Sequence, residues 1–118
     1  AMQGTALRNS QSSLERSQAV IYTYMILDLM RANRDAALAG GYNLAQTCVV
    51  PAAGTLVDND RRIWMQAVQT GLGSDACGTI NCPANSACTI TVQWNDSRAA
   101  GAAGQGSATE SVSTVTRL

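Results

Sequence analysis

No proline interrupts residues 3 to 39, and the only glycine among them is Gly4, so this opening stretch reads as one long helix stopped by Gly40 and Gly41. At ~1.5 Å per residue, about 36 residues make a rod of roughly 54 Å. A compact domain of this length has a radius of gyration of only about 13 Å. Such a rod must protrude or pack against something besides its own chain.

Plotted at ~100° per residue, Leu7, Leu14, Ile21, Tyr22, Met25, Leu29, Ala32 and Ala36 fall in one stripe, which is the expected core face. Val20, Tyr24, Leu27 and Leu38 form a second stripe, and Ile26 and Met30 add apolar surface between the two. The middle of the helix is therefore apolar nearly all round, while residues 11 to 18 are polar outside the leading stripe. A helix of this kind can serve its own domain and a neighbour together. Asp28 with Arg31, and Arg31 with Asp35, have the spacing of helical charge pairs on a solvated face.

At 118 residues the chain reads as one domain, with enough length for a core and with four cysteines available as staples. Eight arginines balance eight acidic residues, with no lysine and no histidine. No basic excess is present to hold a nucleic acid. Without imidazole, the usual catalytic base and metal ligand is missing, which argues against most hydrolase, oxygenase and zinc-enzyme chemistries. Cys48 and Ser86 are the best nucleophile candidates and have no histidine to activate them, so the chain is expected not to be an enzyme and to need no cofactor or small-molecule substrate. No window reaches the ~20 apolar residues of a membrane span, so the chain as written is expected to be soluble. Ala1-Met2 resembles a cleavage or cloning scar, and the expectation is that a natural segment precedes it.

Residues 40 to 73 read as a long connecting loop around Pro51 and Gly54, then a second helix carrying Ile63, Trp64, Ala67, Val68 and Leu72 on its apolar face. Asp58 or Asp60 is expected to cap it, and Gly71 and Gly73 to stop it. Asp58-Asn59-Asp60 offers calcium-type oxygens but lacks the rest of a calcium loop, so capping is the expected role. Residues 74 to 118 change to strand patterns over Cys77 to Cys82, Cys88 to Trp94 and Ser111 to Leu118. In the second of these, Cys88, Ile90, Val92 and Trp94 alternate with Thr89, Thr91 and Gln93, the pattern of a half-buried strand. The stretch Pro83-Ala84-Asn85-Ser86 supplies turn chemistry for a hairpin, and an Ala/Gly/Ser tract between Asn95 and Glu110 reads as a mobile loop. The fold class is α+β: one domain with a long N-terminal helix over 1 to 39 packed on a C-terminal antiparallel sheet, and a second short helix between.

Four thiols permit three pairings. Cys82 and Cys88 flank the proposed turn and can meet across the strand ends, which leaves Cys48 to meet Cys77. The four thiols show no Cys-x-x-Cys knuckle, so zinc is a poor competitor to disulfides. Disulfides imply an oxidising compartment, the periplasm or the cell exterior.

The run Leu14-Glu15-Arg16-Ser17-Gln18-Ala19, followed by Ile26-Leu27-Asp28-Leu29-Met30-Arg31-Ala32-Asn33-Arg34, resembles the PilV-type minor pilins of bacterial type IV pili. So does Cys88-Thr89-Ile90-Thr91-Val92-Gln93-Trp94-Asn95-Asp96-Ser97-Arg98. The resemblance covers nearly the whole chain and implies a pilin-like fold. It implies a structural subunit that helps prime pilus assembly within a tip complex and supports adhesion and twitching motility. The implied partners are other minor pilins, the major pilin and a tip adhesin, with the inner membrane reached through a segment absent here. The implied location is the inner membrane facing the periplasm, then the extracellular pilus. It supports Cys82 with Cys88 better than Cys48 with Cys77. Subunit contacts concentrate energy in a few aromatic or arginine anchors, so Tyr22, Tyr24, Arg31 and Arg34, together with Leu27 and Met30, are the expected partner face. A minor pseudopilin of type II secretion shares this architecture. A secreted binding module, using the 99 to 110 loop or the hairpin tip, is the competing reading of another class.

Overall fold

The computed structural model describes residues 2–83, 86–95 and 110–118, with side chains from residue 13 onward. Its elements are α1 (Met2–Ala32), α2 (Arg34–Leu38), β1 (Leu44–Thr47), α3 (Leu56–Leu72), β2 (Cys77–Asn81), β3 (Cys88–Trp94) and β4 (Glu110–Thr116). The fold is α+β, a long helix and a four-stranded antiparallel sheet in the order β1-β2-β3-β4. The molecule extends 53 Å along its longest axis. The ends of the hairpin turn at Pro83 and Ser86 are described, whereas Ala84, Asn85 and the expected loop over 96 to 109 lie outside the described residues.

The expected single helix to Ala39 is two. Asn33 leaves helical geometry at φ −131° and ψ 54°, and its side-chain amide donates to the Tyr42 hydroxyl at 3.3 Å. Its carbonyl then accepts from Ala37 N–H to start α2. Propensity alone does not announce this break, because the bond that rewards it comes from a residue nine positions on. Gly40 and Gly41 do end the run. Gly40 sits at φ +83°, and Gly40 and Gly41 N–H donate back to Ala37 and Ala36, the reciprocal C-terminal cap that only a residue tolerant of positive φ completes cheaply.

The cap of α3 is Thr55, not Asp58 or Asp60. The Thr55 hydroxyl accepts from Asp58 N–H at 3.2 Å, and the Asp58 carboxylate accepts from Thr55 N–H at 3.1 Å, a reciprocal capping box. Asp60 lies a turn inside and is buried, accepting from the Tyr42 hydroxyl at 2.5 Å. β1 falls inside the stretch expected to be a loop. Its sequence, LAQT, has little strand signal, and it is a strand because Leu44 and Thr47 pair with Ile80 and Gly78 of β2.

Both long helices lie on one face of the sheet, α1 against β3, β4 and α3, and α3 also against β2. The β3 alternation is as expected: Cys88, Ile90, Val92 and Trp94 are buried, and Thr89, Thr91 and Gln93 face away. Trp64, Met65, Val68 and Leu72 of α3 meet this layer, and Trp64 lies over Gly78, whose missing side chain makes room for the indole. The Trp64 indole N–H donates to the Tyr22 carbonyl at 2.9 Å, tying α3 to α1 through the core. Disulfides join Cys48 to Cys77 and Cys82 to Cys88, with Cα atoms 4.1 Å apart in each.

The core face of α1 is rotated from the stripe that periodicity favours, of which Tyr22, Met25 and Leu29 pack only partly buried against the core. Fully buried are Ala19, Thr23, Ile26, Leu27 and Met30, and Glu15 is nearly so. Leu14 and Ile21, from the expected core stripe, are 59% and 63% exposed. Two small residues explain the choice. Ala19 and Thr23 let the sheet approach closely, and the Thr23 hydroxyl meets the Thr114 hydroxyl at 2.8 Å while donating to the Val20 carbonyl at 2.7 Å. Where apolar groups encircle a helix, such fits decide the rotation that the stripes leave open.

Candidate functional site

The exposed side of α1, with the partly buried residues at its margin, forms the candidate site. Ile21, Tyr24, Met25, Asp28 and Leu29 line a shallow open concavity of about 560 Å³ on the helix, and Leu14 continues the same stripe two turns earlier. Four of the five lining residues are apolar, although only Asp28 carries a charge toward solvent there. Leu56 and Ile63, two turns apart on α3, are also exposed, at 61% and 49%.

Of the six side chains expected to face a partner, Tyr24 alone belongs to this stripe and is half exposed. Leu27 and Met30 are 0% exposed and belong to the core, which corrects their expected place on a docking surface. Tyr22 is half-buried, its hydroxyl against Gly71. Arg31 pairs with Asp28 at 3.4 Å on the surface, and Arg34 donates to the Leu118 carbonyl at 3.5 Å, holding the C-terminal end of the chain to α2. Of the site residues expected in the core, Met25 and Leu29 do pack partly buried against it, and Ile21 does not. Their i, i+4, i+8 spacing was visible, but nothing local distinguishes a stripe that meets a sheet from one that meets solvent.

One end of the site is anchored by residues from two distant segments. The Trp94 indole donates to Glu15 at 3.1 Å, and the Arg16 guanidinium pairs with Glu110 at 2.6 Å while lying 5.8 Å from the Trp94 ring centre. Arg16 also donates to the Ser111 carbonyl. This cluster pins α1 to the ends of β3 and β4. The helix backbone continues from there to Met2, 13 residues or about 20 Å beyond the anchor.

The acidic triplet of α3 is fully engaged in structure. Asp58 caps and pairs with Arg61 at 2.7 Å, Asn59 accepts from Gly54 N–H at 3.0 Å, and Asp60 holds Tyr42. Hydrogen bonding from the Thr55 backbone, then from Arg61, lowers the Asp58 pKa below its ordinary value of 3.8. Burial, reinforced by the bond to Asp60, raises that of Tyr42 above 10.0. Among the described residues no three His, Cys, Asp or Glu side chains converge on a metal-sized site, and no helix is long and apolar enough to cross a membrane. Comparison with protein-family models, curated proteins and solved structures finds no match to this chain.

Proposed function

We propose that the chain is a structural subunit of a type IV pilus, of the minor pilin kind, that contributes to a multi-subunit complex through α1. The observation that carries this reading is the second apolar face of α1. The sheet and α3 already cover Ile26, Leu27 and Met30, yet Leu14, Ile21 and Tyr24 keep an exposed apolar surface away from them, with partly buried Met25 at its margin. An apolar stripe on a helix whose core side is satisfied is what a helix-to-helix subunit contact requires. The two disulfides support assembly in an oxidising compartment such as the periplasm. The junction of Glu15 and Arg16 with Trp94 supports the resemblance, since the two segments that carry it meet there.

The test uses the full-length gene in its own bacterium. Replacing Ile21 and Tyr24 together by Glu is expected to leave the purified domain's melting temperature within a few degrees of the parent while abolishing co-purification with neighbouring pilus subunits and reducing surface pili. Normal piliation by the folded variant, or by a deletion strain, would overturn the reading. A secretion defect with normal pili would transfer the same contact to a type II secretion pseudopilus.

A further inference from the structure

The two disulfides lie on opposite faces of the sheet. Cys88 is in phase with Ile90, Val92 and Trp94, and the Cys82–Cys88 bridge belongs to the helix-covered core. Cys77 pairs with Gln93, and residues directly opposite one another in a ladder point to the same face. Gln93 faces away from the helices and accepts from the Gln46 side chain at 3.3 Å, which puts the Cys48–Cys77 bridge on the uncovered face. Cys77 is packed down to 5% exposure there, whereas Cys48 is the one exposed cysteine of the four. A thiolate opens a disulfide by attacking one of its sulfurs, so access decides which bridge exchanges. Access favours Cys48–Cys77.

Neighbouring groups fit this pair for opening and closing again. The Gln69 amide donates to the Cys48 carbonyl at 2.7 Å and to the Ala76 carbonyl at 3.3 Å, so it ties the same two segments that the bridge joins. Arg62 donates to the Pro51 carbonyl at 3.0 Å, holding the chain beyond Cys48 to α3 as well. The Asp75 carbonyl, 3.4 Å from the Cys77 sulfur, is an acceptor for the S–H that reduction creates. We infer that Cys48–Cys77 is a reversible redox site, opened by a protein dithiol of the Cys-x-x-Cys class while Cys82–Cys88 stays closed. One thiolate of the dithiol attacks the Cys48 sulfur, forming a mixed disulfide; the Cys48–Cys77 bond breaks and its electron pair leaves on Cys77, which takes a proton from water. The second thiol of the reductant gives up its proton and displaces Cys48 as a thiolate, which is protonated in turn. The reductant ends as a disulfide and the chain as a dithiol, a transfer of two electrons and two protons. Held close by Gln69, the thiols reclose when an oxidised partner returns. Opening removes the covalent tie of the β1 edge and leaves the helix-side core in place. The exchange needs nothing of the proposed pilus role.

The test treats the folded 118-residue chain with reduced thioredoxin, and in parallel with dithiothreitol, then blocks thiols with N-ethylmaleimide and maps them by mass spectrometry. Cys48 and Cys77 are expected to be labelled together, at least about tenfold faster than Cys82 and Cys88, while the circular dichroism of the folded chain is kept. In a glutathione redox buffer, Gln69→Ala is expected to shift the Cys48–Cys77 equilibrium about tenfold toward the dithiol, because loosened thiols have a lower effective concentration. Equal labelling of the two bridges, labelling of Cys48 and Cys77 only as the chain unfolds, or reduction by dithiothreitol but not by thioredoxin would overturn the inference. So would an equilibrium in folded Gln69→Ala equal to the parent's. If Gln69→Ala fails to fold, the parent's labelling rates decide.

Discussion

A single absent carbon sets how closely α3 lies on the sheet. A Cβ built on Gly78 would stand 2.6 Å from the Trp64 ring and 2.9 Å from the Met65 sulfur, both in fully buried side chains with no free direction to move. Gly78→Ala is therefore expected to destabilise the domain by about 1–3 kcal/mol through overpacking, measured by chemical denaturation. An unchanged midpoint would mean the indole can shift. A second residue-scale lock is Tyr42, whose hydroxyl donates to buried Asp60 and accepts from Asn33. Removing that hydroxyl leaves a buried carboxylate short of a donor, so Tyr42→Phe should cost roughly 1.5–3 kcal/mol. The lock also has a pH signature. The folded state holds the Tyr42 proton above its ordinary pKa of 10.0, so its contribution is complete below that pH. It is lost progressively as the pH rises and the unfolded chain gives up the proton first. Denaturation midpoints taken from about pH 9 to about pH 11 should fall more steeply for the parent than for Tyr42→Phe. Parallel curves would show that the bond does not hold the proton.

At the scale of elements, the two faces of α1 make opposite predictions from the same kind of substitution. Leu27→Glu puts an uncompensated charge among Ile26, Met30 and the sheet and is expected to cost about 3–5 kcal/mol. Ile21→Glu changes a side chain 63% exposed and should stay within about 0.5 kcal/mol of the parent. Thermal melts of the two variants separate the faces directly; similar losses would mean that α1 is rotated from the orientation described. This rotation is also where sequence reading stopped. The α+β class, the β3 alternation and the glycine stop at 40 were legible because each rests on a local pattern of period, branching or backbone freedom. Which apolar stripe of α1 turns inward rests on Ala19 and Thr23 fitting beneath β4, a fact about residues some ninety positions apart. β1 was illegible for a related reason: Ala45 and Gln46 carry no strand signal, and pairing with β2 supplies what they lack. The Thr55 cap was more nearly within reach, since Thr-x-x-Asp is a helix-start spacing, but the acidic residues after it drew the boundary too far along.

For the whole molecule, the two disulfides divide the task of holding the chain together unequally. Cys82–Cys88 closes a separation of six residues in a hairpin whose strands keep five paired positions of their own. Cys48–Cys77 closes a separation of 29 and fastens the irregular β1 edge and the start of the loop into α3 onto β2. If the bridges act mainly by restricting the unfolded chain, removing the longer loop should cost more, roughly 3.5 kcal/mol against roughly 2 kcal/mol for the shorter. Local packing argues the other way. Cys82 and Cys88 are both buried, at 5% and 2% exposed, whereas in the longer bridge only Cys77 is buried and Cys48 is exposed, so replacing the hairpin pair disturbs more buried contacts. The two accounts separate in paired double variants. With Cys48→Ala and Cys77→Ala together, the denaturation midpoint should drop further than with Cys82→Ala and Cys88→Ala, and the denaturant slope should rise as the unfolded ensemble expands. A larger loss from the hairpin pair, at unchanged slope, would show that core packing around Cys88 outweighs chain entropy and that β1 holds to the sheet without its covalent tie.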